Sequence, residues 1–182
     1  MARLPDELRT PRLHLRAWSG EFDSAMAEIS REPEVMRAVW RPGYEEVLAA
    51  FSGRASAHWT EHGFGLYEVF ETADGGASFR GFAGMAYPTF VPELAHRPEL
   101  GWRLAPAAWG RGLATEAAAV IRDVAFQQLA LRELISIIGC DNDRSARVAE
   151  KLGMSIEGSA RVPGDDREVD VWRVGSPAIP TA

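Results

Sequence analysis

The chain has 182 residues, 46% of them hydrophobic, and a formal net charge of −6. That length suits one compact domain with its own core, and the acidic balance argues against a general nucleic-acid surface. The lone Cys140 excludes a disulfide framework and a cysteine-based zinc site; with no apolar signal core in MARLPDELRT and no membrane-length window, the expected setting is the cytoplasm.

Alternation in RLHLRAW (Arg12 to Trp18) predicts an edge-like strand. Ser19 and Asp23 offer caps for a helical stretch through Ile29. GYEEVLAAFSGRASAHWTEHG predicts a second helical region, weak at Gly53 and stopped by Gly63. FGLYEVFE and FRGFAGMAYP read as a half-buried hairpin across TADGGAS. The proline-rich TFVPELAHRP leads into the strand ELGWRLAP. After a glycine turn, a helix is expected from about Leu113 to Leu129, with Leu113, Ala117, Ile121 and Val124 on one face. ELISIIGC is apolar on both faces and predicts a central strand. DNDRSARVAEKLG predicts a short helix, capped by Asn142 or Asp143 and ended by Gly153 in the left-handed conformation. MSIEGSARV and REVDVWRV form a closing hairpin across PGDD. The pattern is α+β with a mixed sheet: a single domain over residues 1–175, and a loose tail over 176–182.

The glycine turn, WGRGLATEAA from Trp109 to Ala118, carries the first functional signal. A strand followed by Gly-Arg-Gly and a helix leaves unpaired backbone N–H groups at a helix N-terminus, a site for an anion by geometry and by dipole. Gly110 and Gly112 lack a Cβ, so a pyrophosphate can rest on the backbone; Arg111 adds charge and Thr115 a hydroxyl. A tight turn with no ligand explains the same residues equally well. No Gly-Lys-Ser/Thr follows, so the loop is not a P-loop. A dinucleotide fingerprint would have a glycine where Thr115 stands, and its acidic residue, Glu133, begins a strand rather than ending one. That opposes a nucleotide-dependent oxidoreductase.

ELGWRLAPAAWGRGLATEAA followed by DNDRSARVAEKLGM resembles the GNAT superfamily of N-acetyltransferases, nearest the branch that contains the ribosomal-protein N-terminal acetyltransferases. The opening TPRLHLRAW and the segment HWTEHGFGLYEVF extend the resemblance over most of the chain. It implies a mixed, mostly antiparallel seven-stranded sheet with a splayed central strand pair and flanking helices. The strands ending at Leu104 and at Cys140 should part, with the pantetheine arm of acetyl-CoA lying in the gap and pairing with the free strand edge. The pyrophosphate should meet Trp109, Gly110, Arg111, Gly112, Leu113, Ala114 and Thr115, chiefly through backbone N–H groups. The family's usual residue at the first loop position is Gln or Arg; Trp109 removes that polar contact and leaves the backbone cradle.

Acetyl transfer from a thioester to an amine needs an unprotonated amine, donors for the developing oxyanion and a hydrogen bond for the departing thiolate. A lysine amine titrates near ~10.4 and an α-amine near ~8, so a base is useful at neutral pH. The resemblance implies a backbone N–H near Leu104 as oxyanion donor. The family's usual tyrosine acid falls at Ala149. Ser145, one turn earlier, is the expected thiolate donor, with helix capping as its plain alternative. Asn142 is expected to orient pantetheine or water, or simply to cap its helix. Glu99 is the expected base acting through water, with Glu93 and His96 as rivals and a solvated strand end as the plain alternative. His58 and His62 have metal-like i, i+4 spacing but no third ligand, so no metal is expected. Cys140 reads as structural rather than as an acetyl carrier. Trp40, Trp59 and Trp102 are candidates for the acceptor wall.

The expected function is transfer of acetyl from acetyl-CoA to a primary amine, on a protein N-terminus or a small molecule, by direct attack in a ternary complex. The alternative is a non-catalytic acyl-CoA-binding module of the same fold. Neither nucleic acid nor membrane is an expected partner. The acceptor and the presence of a homodimer stay open.

Overall fold

Leu13 and Leu15 are buried while His14 and Arg16 are half-buried, the alternation of a strand with one face on a core. A computed structural model describes residues 2–39, 44–73, 75–164 and 167–177. Among them the chain order is β1 (Glu7–Arg9), β2 (Leu13–Ala17), α1 (Asp23–Arg31), α2 (Pro33–Val39), α3 (Tyr44–Ala49), α4 (Phe51–His62), β3 (Leu66–Ala73), β4 (Gly76–Ala86), β5 (Glu99–Leu104), α5 (Leu113–Gln128), β6 (Glu133–Gly139), α6 (Asp143–Lys151), β7 (Ser155–Arg161) and β8 (Glu168–Gly175). The strands form one sheet of eight, ordered β1-β2-β3-β4-β5-β6-β8-β7.

The eighth strand is β1, which pairs antiparallel with β2 and takes the edge predicted for Arg12 to Trp18. Three residues, ELR, with only Leu8 buried, carry too little pattern to announce a strand. Among the described residues four helices stand here: the first predicted stretch is α1, the second divides into α3 and α4, and α2 lies between them, outside both. Pro33 begins α2, and Glu32 before it is extended (φ −57°, ψ 129°), because a proline excludes its predecessor from the helical region. The second predicted stretch breaks at Ala50, whereas Gly53, its expected weak point, lies inside α4. Gly63 stops α4 with φ +72°, as glycine allows. Neither Ser19 nor Asp23 caps α1, whose N-cap is Phe22 without a side-chain bond. The Ser19 hydroxyl donates to buried Glu68 (2.7 Å), and Asp23 accepts the Trp18 indole N–H (3.1 Å). The tail from residue 178 lies outside the described residues.

One joint in the sheet departs from the rest. Every neighbouring pair is antiparallel except β5 and β6, which are parallel and meet at one register pair, Glu99 with Ile135. Beyond that bridge the two strands separate. The Ser136 hydroxyl still reaches the Leu100 carbonyl (2.6 Å), but no further β5–β6 pair follows among the described residues.

The core fixes this geometry. Leu113, Ala117, Ile121 and Ala125 of α5 are fully buried against Leu13, Leu15, Val69, Met85 and Leu100 of the sheet. Burying a large aliphatic side chain such as Ile121 stabilises by roughly 1.5–3 kcal/mol. β6 is buried on both faces: Leu134 and Ile138 belong to this core, while Ile135 packs with Val91, Leu94, Val169 and Val171 on the opposite side. Glu133, at the start of β6, accepts from Arg97 (2.7 Å) and Arg173 (2.6 Å). Arg97 also pairs with Glu157, so the connection before β5 is pinned to β6, β7 and β8. Among the described residues no helix is long and apolar enough to cross a membrane.

Candidate functional site

The turn after β5 begins with a 3-10 turn at Pro106–Ala108 and ends at Gly112, the N-cap of α5. Gly110 and Gly112 have φ of +72° and +78°. An L-residue pays about 1–2 kcal/mol in that region, so backbone conformation alone requires glycine here. Among the described residues a Cβ on Gly110 would meet nothing within 4 Å, and one on Gly112 only the Arg12 guanidinium at 3.6 Å. No side chain among the described residues caps α5. Its first N–H groups, Leu113 to Thr115, have no carbonyl within the helix to bond.

These residues line a cavity of about 310 Å³ between the C-terminal end of β5, the start of α5 and α6. Of the residues expected at a cofactor, Leu104, Trp109, Gly110, Gly112, Leu113, Ala114, Thr115, Asn142 and Ser145 all line it. The two separated sequence motifs therefore line one cavity. Arg111 does not line it. Its guanidinium pairs with Glu71 on β3, and its carbonyl accepts from Arg12 (2.9 Å). The hydrogen bond from Arg111, with help from Arg80, holds the Glu71 carboxyl below the usual carboxylate range.

Trp109 has a structural task. Its indole N–H donates to the Leu104 carbonyl (2.8 Å), bracing the turn against the end of β5. Strand alternation then identifies the exposed backbone edge. The Leu100 carbonyl faces β6, so Trp102 and Leu104 also present their backbone groups to the gap. With the Leu104 carbonyl taken, donors dominate at that point of the edge.

The α6 wall carries charge that the sequence reading treated only as a capped helix. Arg144, Arg147 and Lys151 line the cavity, as does Arg103 from β5. Their helical spacing, three and four apart in DRSARVAEK, was the available signal. Arg144 lies over the Trp109 ring, 4.4 Å from its centroid, and 4.0 Å from Glu34 on α2. Glu34, Val35 and Ala38 close the α2 side. The site is thus basic within an acidic chain.

Asn142 caps α6, its Oδ1 accepting the Ser145 backbone N–H (3.1 Å). The Ser145 hydroxyl takes no part in that cap. Ala149 is fully buried in the core, so a tyrosine at this position would overpack rather than reach the cleft.

Glu99 opens β5 at the single β5–β6 bridge and is half-buried. It does not line the cavity. Alternation puts it on the same sheet face as Arg103, which donates to Ser30 of α1 (3.2 Å). Glu93 and His96 are exposed in the connection before β5 and are also outside the cavity wall. Trp102 lines the cavity; Trp59 is buried in the core with its N–H on the Leu66 carbonyl (2.8 Å); Trp40 lies outside the described residues. His58 donates from Nδ1 to the Phe64 carbonyl (2.8 Å) and accepts the Tyr87 N–H at Nε2 (3.1 Å). Both nitrogens are occupied, and burial lowers its pKa. Cys140 is exposed beyond β6 and donates to the Glu168 carbonyl (3.3 Å). Partial desolvation of the thiol, then the nearby Asp170, raise its pKa.

The family model for the acetyltransferase (GNAT) domain matches residues 12–155. Over 76 residues the chain is 33% identical to spermidine N(1)-acetyltransferase of Escherichia coli (strain K12). That stretch covers 42% of this chain and 41% of the relative, less than half the length of either. An acetyltransferase from Agrobacterium tumefaciens str. C58 superposes with a TM-score of 0.74 at 29% identity, covering 96% of each chain. RimL, a ribosomal L7/L12 alpha-N-protein acetyltransferase solved in complex with coenzyme A, gives a TM-score of 0.72 over 94% of this chain and 97% of its own. At 15% identity this last likeness is one of fold.

Proposed function

The chain belongs to the GNAT acetyltransferase family, and from that premise we propose that it moves the acetyl group of acetyl-CoA to a primary amine by direct attack in a ternary complex. The observation that supports this most is a single cavity running from the uncapped N-terminus of α5 to the free edge of β5. An anion and an extended amide chain need those two features, and acetyl-CoA carries both. The pyrophosphate lies on the N–H groups after Gly112, where the helix dipole favours negative charge. Arg144, Arg147 and Lys151 add attraction along α6. The pantetheine amides pair with the gap-facing backbone edge of β5.

The chemistry then follows from position. The amine nitrogen attacks the thioester carbon, a backbone N–H near Leu104 receives the oxyanion, and the carbon–sulfur bond breaks. Ser145 donates a hydrogen bond to the departing thiolate. A thiol titrates near ~8.5, so one neutral donor suffices where the family uses a tyrosine. Glu99 takes the amine proton through water from the α1–α4 side of the sheet. The acceptor enters between α2 and β5, past the wall formed by Glu34, Val35 and Ala38. Relatives act on a polyamine and on a protein N-terminus; both amine classes are candidate acceptors here.

A non-catalytic acyl-CoA-binding module is the second reading, favoured by the buried Ala149 in place of the tyrosine. Thiol release from acetyl-CoA, measured with polyamines, small amines and peptides, separates the two. Amine-dependent release supports the enzyme. Binding of acetyl-CoA without release by any amine supports the module.

A further inference from the structure

The back of the glycine turn is as highly organised as the front. Glu116, in the first turn of α5, accepts the Thr10 hydroxyl (2.5 Å), the Arg12 backbone N–H (3.1 Å) and the Arg12 Nε (2.7 Å). Burial alone pushes the Glu116 carboxyl up, but these hydrogen bonds outweigh it and leave the pKa lowered. Arg12 therefore has a fixed, fully charged partner, and its Nη1 is aimed at the Arg111 carbonyl (2.9 Å). On the other side of the same residue, the Arg111 side chain is held by Glu71.

We propose that Arg12 is a positioning residue for the cofactor: by fastening the Arg111 carbonyl behind the turn, it directs the Gly112 N–H into the cavity. The physical reason is the planarity of the trans peptide. The carbonyl of Arg111 and the N–H of Gly112 point in opposite directions across one plane. Gly112 lines the cavity and Arg12 does not, so a carbonyl tied to Arg12 points away from it. A glycine-flanked peptide flips easily. A flip here would turn a carbonyl oxygen toward an anion and remove a donor. Arg12 also neutralises Glu116, whose carboxylate would otherwise stand bare within one turn of the phosphate site. The proposal rests on the acetyl-CoA reading above.

The test compares two acetyl donors, acetyl-CoA and S-acetyl-pantetheine, which has the same thioester arm but no pyrophosphate. Arg12→Lys keeps a charge for Glu116, but one ammonium cannot span both that carboxylate and the Arg111 carbonyl. The expected result is acetyl-CoA binding weakened about tenfold, the loss of one charge-assisted hydrogen bond, with kcat/KM for S-acetyl-pantetheine unchanged. Equal binding of acetyl-CoA by Arg12→Lys and wild type overturns the proposal. So does an equal loss with both donors, which would mean that Arg12 only supports the fold. If Arg12→Lys is poorly folded, Arg12→Met/Glu116→Leu removes both charges and leaves no buried carboxylate unpaired; it must show the same selective loss. Failure of the wild-type protein to bind acetyl-CoA would instead overturn the acetyl-CoA reading itself.

Discussion

Replacing Gly112 with valine separates the role of the turn from the stability of the fold. The residue sits at φ +78°, and a Cβ there meets only the Arg12 guanidinium at an ordinary contact distance of 3.6 Å. The cost is therefore backbone strain, about 1–2 kcal/mol. In a domain of this size, that lowers Tm by roughly 2–8 °C and leaves the protein folded. Acetyl-CoA at a hundredfold excess over its Kd stabilises wild type by ~2.7 kcal/mol, or about 5–11 °C. The valine drives the backbone out of the left-handed region, and the N–H groups leave the cavity with it. Thermal melts with and without acetyl-CoA should then show a modest Tm loss and no ligand shift. Gly53→Ala, inside α4 with open space around its Cβ, should keep the full shift. A Gly112→Val protein with an undiminished shift would refute the assignment of the anion site.

Ser145→Ala should lower kcat by roughly tenfold to a hundredfold, one hydrogen bond of about 1–3 kcal/mol in the transition state. Acetyl-CoA affinity and Tm should stay near wild type, because the helix cap uses the backbone N–H of Ser145 rather than its hydroxyl; intact turnover would remove Ser145 from the chemistry. Glu99→Gln should slow turnover most at neutral pH and recover partly as pH rises and the amine loses its own proton. A pH–rate profile identical to wild type would move the base to Glu93 or His96. His58 has its folded-state pKa depressed by burial, so the unfolded chain binds its proton more readily. Its stabilising contribution is complete above about 6.5 and is lost as pH falls through the depressed value. Tm should accordingly fall more steeply below that pH in wild type than in His58→Gln, and matching slopes would show that His58 is not the sensor.

The elements with strong local pattern were legible in the sequence. The alternation of β2, the double-sided burial of β6, the left-handed stops at Gly63 and Gly153 and the Asn142 cap all follow from residue chemistry at close range. β1 was not, since a three-residue strand is defined by its partner rather than by its own sequence. The glycines of the turn were legible as an unusual backbone, and both have positive φ. The pairing of Arg111 with Glu71 was not legible, because the two are forty residues apart and local reasoning sees only the charge. Trp109 was read as a lost phosphate contact; its bond to Leu104 depends on the path of the turn. The basic stripe of α6 had a visible period, but only the fold shows that this face turns to the cavity.

Hydrogen exchange across the backbone, with and without acetyl-CoA, tests the placement of the cofactor most directly. The expected result is new protection at Trp102 and Leu104 on β5, at residues 112–115 and along the first turns of α6, with the outer strands unchanged. Protection confined to the outer strands, or absent from the β5 edge while acetyl-CoA is bound, would contradict it.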